Sequence, residues 1–363
     1  MWNIFFSLAL SRTFAAKAQR HKGNAKNGFS LRGCFASLRL CGEVILVLVL
    51  SMVPLGHALA AQNNTPYPAK PLRIIVPFAP GGGTDITARL VGQRLSERFS
   101  QPVIIDNRPG AGTMLGTELT QKSAPDGYTL MLASASHAIN PTLYRKVNYD
   151  PIRDFAPVSL AIAFSFALVV HPSQPVRSVK ELIAHAKANP KRIYYASSGT
   201  GATNHLAAEL FKTMAGLDLL HIPYKGGGPA MNDVIGGQVP MMFGTLLETM
   251  PQVRSGKLRG LAVSSAKRVA AAPELLTIAE DGLPGYDVTG WYAFLAPAGV
   301  EHAVMAKLNQ EVTSALAFPA LKEKLLTLGA EPWPTARQEA QTFIASEVQR
   351  WGKLIKGAGI TAN

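Results

Sequence analysis

The sequence predicts an α/β fold in two lobes, each a mixed, mostly parallel sheet flanked by helices, and three observations carry that expectation. First, Ile74-Ile75-Val76-Pro77-Phe78-Ala79-Pro80-Gly81-Gly82-Gly83-Thr84-Asp85 breaks a strand-like run into a glycine and hydroxyl loop. That loop opens an amphipathic helix pattern at Ile86, Leu90, Val91, Leu95 and Phe99. Second, Ile193-Tyr194-Tyr195-Ala196-Ser197-Ser198-Gly199-Thr200-Gly201-Ala202-Thr203-Asn204-His205 repeats the arrangement and enters Leu206, Leu210, Phe211 and Met214. Third, 363 residues, 47% hydrophobic and 16% charged, suit packed domains, one large or two of medium size. A strand–loop–helix junction aims free backbone N–H groups and a positive dipole end at one spot. Such a spot suits a carboxylate or phosphate, and two of them suggest two lobes sharing one anion.

Along the chain, residues 1–60 read as a leader outside the fold. Val44 to Leu55 is an apolar run of about a dozen residues, too short for a membrane span. Arg12, Lys17, Arg20, Lys22, Lys26, Arg32 and Arg39 precede it, and Ala58-Leu59-Ala60 supplies a cleavage signal with the cut after Ala60. A retained anchor is the competing reading, and a start codon downstream of Met1 would explain the length. Cys34 and Cys41 both fall in this segment, so the rest of the chain has no thiol, disulfide or cysteine metal site. The leader's seven Lys or Arg against Glu43 hold +6 of the +13 net charge, leaving a modest +7 for the remainder. That surplus fits small anions and argues against nucleic acid.

Past the leader, Pro102 to Asn107 reads as the next strand, followed by a glycine turn from Arg108 to Gly116 into a helix. Asp126-Gly127 turns into the strand Tyr128 to Ala133, which ends in Ser134-Ala135-Ser136-His137. Pro157 to His171 is unbroken and β-rich, as a strand running through a domain boundary would be. Ser178 caps a helix with Glu181 at the capping-box position. Lys225-Gly226-Gly227-Gly228 leads into a short helix, and the strands Val239–Phe243 and Leu258–Ser264 follow. Asp287 to Pro297 reads as a return crossing. From Glu301 the pattern is helical, with Pro332 and Pro334 separating the last two helices.

Enzyme signatures are weak. Gly110-Ala111-Gly112-Thr113-Met114-Leu115-Gly116 outlines a dinucleotide fingerprint but with one residue too many, after the wrong strand and without an acidic partner. No Walker-A loop and no Gly-x-Ser-x-Gly elbow is present. His137, His171, His185, His205, His221 and His302 are dispersed, which argues against a metal. His137 and His205 follow hydroxyl-rich strand ends and are candidates for a polar cleft, or else satisfy local backbone. Asp85 either meets a ligand donor or caps its own helix. Trp291 and Tyr292 either wall a cleft or fill core.

In order and at these spacings, several segments resemble the receptors of the tripartite tricarboxylate transporter family, the Bug (Bordetella uptake gene) proteins. They are Pro71 to Asp85, Asp106-Asn107-Arg108-Pro109-Gly110-Ala111-Gly112, Ala124-Pro125-Asp126-Gly127-Tyr128-Thr129-Leu130 and Tyr195-Ala196-Ser197-Ser198-Gly199. His221-Ile222-Pro223-Tyr224-Lys225-Gly226 and Leu295-Ala296-Pro297-Ala298-Gly299 complete the set. The resemblance implies a two-lobed periplasmic binding protein, type II-like, that closes on a small organic carboxylate without a cofactor or metal and without transforming it. It implies lobe one at 61–160 plus 288–363, lobe two at 161–287, and permease subunits as possible partners. Matching ligand-loop positions are Phe78, Ala79, Gly82, Gly83, Thr84 and Asp85 from one lobe. Ser197, Ser198, Thr200, Gly201, Thr203, Asn204 and His205 match from the other, and Ser134, Ser136, His137, Gly244 and Thr245 are further wall positions. The wall segment Met242 to Glu248 varies among such receptors, and within it Glu248 either faces solvent or favours a ligand with an ammonium group. The alternative is an enzyme acting on a small carboxylate with His137 or His205 as general base beside a hydroxyl.

Overall fold

The strand expected to run through a domain boundary is the spine of the molecule. The computed structural model describes residues 67–358, so the expected leader, its cleavage signal and both cysteines lie outside the described residues. Strand β1 (Leu72–Val76) leads into helix α1 (Gly83–Phe99), and β2 (Val103–Asn107) into α2 (Met114–Gln121). Next come β3 (Thr129–Ser134), α3 (Ser136–Leu143) and the spine, β4 (Phe155–Val170). The middle of the chain carries α4 (Val179–Ala188), β5 (Tyr194–Ser197), α5 (Thr203–Ala215), β6 (Leu220–Pro223) and α6 (Gly227–Ile235). It continues through β7 (Met241–Thr245), α7 (Leu246–Arg254), β8 (Arg259–Val263) and the two-residue β9 (Leu276–Thr277). Strand β10 (Thr289–Pro297) returns, followed by α8 (His302–Ala317), α9 (Pro319–Thr327), β11 (Ala330–Pro332) and α10 (Arg337–Ala358).

The sheet runs β2-β1-β3-β10-β4-β7-β5-β6, with β11 and β8 also on β4 and β9 beyond β8. β1 is parallel to β2 and β3, and β5 is parallel to β6 and β7, as βαβ units require. The antiparallel members are the long β4 and β10. From Phe155 to Ser165, β4 pairs with β10; from Phe166 to Val170 it changes partners to β7 and β8. A strand with neighbours on both edges and helices on both faces has no polar side, and this explains its unbroken apolar run. The sheet therefore has two halves, a first (β1–β3 with β10) and a second (β5–β7 with β8), joined through β4 and the chain's return into β10.

Local signals explain the starts of the helices. Ser178 Oγ accepts the Glu181 N–H at 3.1 Å, while Glu181 Oε2 reaches the Arg177 N–H at 2.6 Å, one residue outside the ideal capping box. In the C-terminal segment Pro332 and Pro334 separate the last two helices, α9 and α10, as expected, and Pro332 also ends a short strand on β4. Proline is tolerated there because it ends the strand.

Candidate functional site

Both glycine–hydroxyl junctions point at one cavity between the two halves of the sheet. In the first, Gly81 takes a left-handed φ of 89°, which turns the chain so that extended Gly82 can start α1. Asp85 then braces the loop. Its carboxylate accepts the Gly81 N–H at 3.0 Å, Asn107 Nδ2 at 3.0 Å and two Arg89 donors at 2.9 Å. Burial pushes this carboxyl up, but the Arg89, Gly81 and Asn107 hydrogen bonds outweigh it and hold the pKa below the usual value. Asn107 Nδ2 also donates to Phe78 O at 3.0 Å. Asp85 thus shapes the loop and does not itself line the cavity.

The second junction uses a neutral brace. Asn204 Nδ2 donates to Phe243 O at 2.9 Å and Ser198 Oγ at 3.1 Å, and its Oδ1 accepts the Ser198 N–H at 3.2 Å. Behind it, His205 stacks on His221 with ring centroids 4.1 Å apart, and His221 on Tyr195 at 4.9 Å. His205 Nδ1 accepts the Gly201 N–H at 3.3 Å, and Ser197 Oγ lies 2.6 Å from His221 Nε2.

The cavity is lined by Phe78, Gly82, Gly83 and Thr84 from the first loop and by Ser198, Thr203 and Asn204 from the second, with Ser134 and Thr245 beside them. At about 30 Å³ it has room for two waters at roughly 10–15 Å³ each. Phe78 and Ser198 form the waist to a wider mouth of about 260 Å³ that Thr200 and Lys225 also line. On the other side Ala79 and Glu248 belong to a groove of about 400 Å³. Three hydrogen bonds cross between the halves around the cavity: Ala79 N–H to Lys225 O at 2.8 Å, Tyr144 OH to Thr200 O at 2.9 Å, and Gly83 N–H to Glu248 Oε2 at 3.1 Å.

The remaining expected residues stand behind this wall. Asp85, Ser136, His137, Ser197, Gly201, His205 and Gly244 line neither the cavity nor its two flanks. For His137 the reason is packing. It is 2% exposed, stacks on Tyr149, meets Phe155 edge-on and binds Pro151 O through Nε2 at 2.9 Å. Burial pulls its pKa down to about 4, and His205 likewise to about 4. Gly244 lies in strand pairing with Ala167, and Gly201 packs against Asn140 and Leu143.

Several cavity residues escape the sequence reading. Phe164 and Phe166 of β4 sit two apart on one face of a strand, a signal visible in the Phe-Ser-Phe run. Gly227 opens α6 by the same glycine-loop rule as the first junction, and Ala202 is the N-cap of α5. β10 divides its aromatic pair by strand alternation. Tyr292 lines the cavity, while Trp291 turns away and donates to Glu347 at 2.7 Å.

Glu248 is buried in the cavity wall. Its Oε1 accepts the Thr245 N–H at 2.9 Å and its Oε2 the Gly83 N–H, so it holds the starts of α7 and α1 together. Burial raises its pKa to about 7 against those hydrogen bonds. Neither expected general base faces the cavity. The half-buried hydroxyl–imidazole pair Ser197–His221 also lies outside the cavity, and burial, with His205 and Lys212, pushes its imidazole down to about 3.

Comparison with known proteins agrees with this geometry. Residues 87–360 match the family model described as tripartite tricarboxylate transporter family receptor. The chain is 36% identical over 319 residues to Protein BugT of Bordetella pertussis, covering 87% of this chain and 98% of that one. Among solved structures, R. palustris Rpa4515 with adipate superposes with a TM-score of 0.79 at 38% identity, covering 82% of this chain and 99% of the other. The periplasmic binding protein BugD superposes with the same TM-score at 35% identity, over 82% and 100% of the two chains. A two-lobed binding fold, with family identity along most of its length, makes this chain a periplasmic solute-binding receptor, not an enzyme: it belongs to the tripartite tricarboxylate transporter receptor (Bug) family.

Proposed function

We propose that this receptor captures a small organic carboxylate between lobe one, 61–160 with 288–363, and lobe two, 161–287. One observation carries the reading: the first turns of α1 and α5 open on the same cavity, beside the hydroxyls of Ser134, Ser198, Thr203 and Thr245. First-turn N–H groups have no partner inside their helix, so Thr84, Thr203 and Asn204 offer donors to a guest. Donors fixed in place and shielded from water bind an ionised acceptor more strongly than a neutral one. The adipate carried by the R. palustris relative has the same functional group. Capture proceeds by hinge closure, with the hydrogen bonds between the halves forming as the lobes meet.

The closed form would then be presented to membrane permease subunits, after export by a signal peptide cut behind Ala60. Thermal unfolding with a broad panel of carboxylic acids tests the binding step. A ligand at a hundred times its dissociation constant stabilises by about 2.7 kcal/mol. A panel in which no acid moves the unfolding midpoint overturns the proposal.

A further inference from the structure

Of the two helix starts facing the cavity, α1 already holds an anion that belongs to the protein. Glu248, only 6% exposed, comes from α7 in the second half of the sheet and takes the Gly83 N–H of the first. Its side chain also presses on Gly227 at the start of α6: a Cβ built there would lie 2.3 Å from Oε2. Three helix N-termini, of α1, α6 and α7, therefore converge on one internal carboxylate. Beside it Thr245 Oγ1, in a residue 5% exposed, makes no hydrogen bond of good geometry and lies directly against Gly83. A buried hydroxyl without a partner is costly unless a guest completes it.

We propose that Glu248 is a specificity-determining residue that fills the α1 mouth in place of a ligand carboxylate. The receptor then admits one ligand carboxylate, at the α5 mouth, and selects for a hydrogen-bond donor, ammonium or hydroxyl, close to that carboxylate. The argument rests on the proposed carboxylate function and goes one step further. A second carboxylate on the inner side would meet Glu248 at short range in a water-poor cavity, where like charges repel strongly. An α-amino or α-hydroxy group instead donates to a further lone pair of Glu248 and offers Thr245 Oγ1 a partner. Among the described residues, the groups that approach the Glu248 carboxylate are Gly82 and Gly83 at the start of α1, Gly227 of α6, Gly244 and Thr245 of β7, and Tyr292 of β10, none of them a cation.

The test compares dissociation constants by calorimetry for wild type and Glu248→Gln. The probes are matched series of three to six carbons: the plain monocarboxylate, its α-hydroxy and α-amino forms, and the dicarboxylate. In wild type at pH 8 the donor-bearing acids should bind best in whichever series binds. In E248Q the preference for the α-amino over the plain acid should fall at least tenfold, and the dicarboxylate should gain. Unchanged ratios with binding intact overturn the role of Glu248 and leave the carboxylate function standing. Binding of no series by either protein overturns that function itself. Should E248Q fail to fold, wild type alone decides. Between pH 8 and pH 5.5 discrimination against dicarboxylates should weaken as Glu248 takes a proton, and discrimination that stays constant overturns the proposal.

Discussion

The two loop–helix junctions look alike in sequence and differ in what holds them. The first is braced by charge: Asp85 gathers Arg89, Asn107 and the Gly81 N–H, and its leading helical N–H is already spent on Glu248. The second is braced by the neutral amide of Asn204 and backed by a stack of uncharged rings, His205, His221 and Tyr195. Packing differs in the same sense. At α5 the N-cap Ala202 brings its methyl to the cavity wall. At α1 the first residue has to be glycine, because a Cβ on Gly83 would lie 2.4 Å from Thr245 Oγ1 and 2.9 Å from its Cγ2. Both junctions touch the opposite half of the sheet, the first through a carboxylate on its leading helical N–H and the second through Tyr144 on the Thr200 carbonyl, ahead of its helix. Similar glycine loops can therefore carry unequal shares of binding, set by the residues facing them.

Gly83→Ala is the largest test of that contrast. Alanine suits the first turn of a helix, so lobe one should fold normally. Closure should fail, and binding should weaken by about a hundredfold, equal to the loss of some 2.7 kcal/mol of ligand stabilisation. Adding Thr245→Ala removes both offending atoms and should restore closure and part of the affinity, less what the Thr245 hydroxyl supplies. Titration calorimetry on the single and double variants reads this directly, and normal binding by the single variant would mean the lobes close differently.

The charge asymmetry predicts a pH signature. Glu248 is neutral at higher pH in the folded protein than in the unfolded chain, with its pKa raised from 4.5 to about 7 by burial. Between those values the folded state holds the extra proton, so this residue's contribution to stability falls as pH rises and stays low above pH 7. At 1.36 kcal/mol per pKa unit the full effect is about 3 kcal/mol. His137 and His205 act the other way. Their folded pKa values are depressed from 6.5 to about 4, so stability is lost as pH drops from about 6.5 through 4. Urea unfolding of wild type and E248Q should show the variant gaining about 3 kcal/mol relative to wild type between pH 5 and pH 8. A difference independent of pH would place Glu248 in contact with water.

Much of this was legible in the chain. Alternating strands and glycine loops foretold the parallel units, and the run from Pro157 to His171 foretold the long strand β4 that passes from β10 to β7 and β8. Local pattern could not foretell which face of a short helix turns inward. His137 follows a hydroxyl-rich strand end, yet α3 rotates it against Tyr149 and Phe155, while Tyr292, one residue from buried Trp291, reaches the cavity. Glu248 lay furthest from local reading. Its partner, the Gly83 N–H, is 165 residues away and meets it only when the lobes pack.

The finest test compares the two braces. Asn204→Ala strips a partner from Phe243 O and from the Ser198 N–H, both in the cavity wall or its support. Leaving such groups unpaired costs about 1–3 kcal/mol and frees the loop that holds the proposed ligand donors. Asp85→Asn keeps the shape and can still accept the Gly81 N–H, losing chiefly its charge pairing with Arg89, whose side chain is 53% exposed. Partly exposed pairs contribute about 1 kcal/mol or less. Both variants should fold, and N204A should lose the more stability and the more affinity in matched unfolding and binding measurements. The reverse order would mean that the ionic brace, and with it the α1 junction, bears the larger share of the guest.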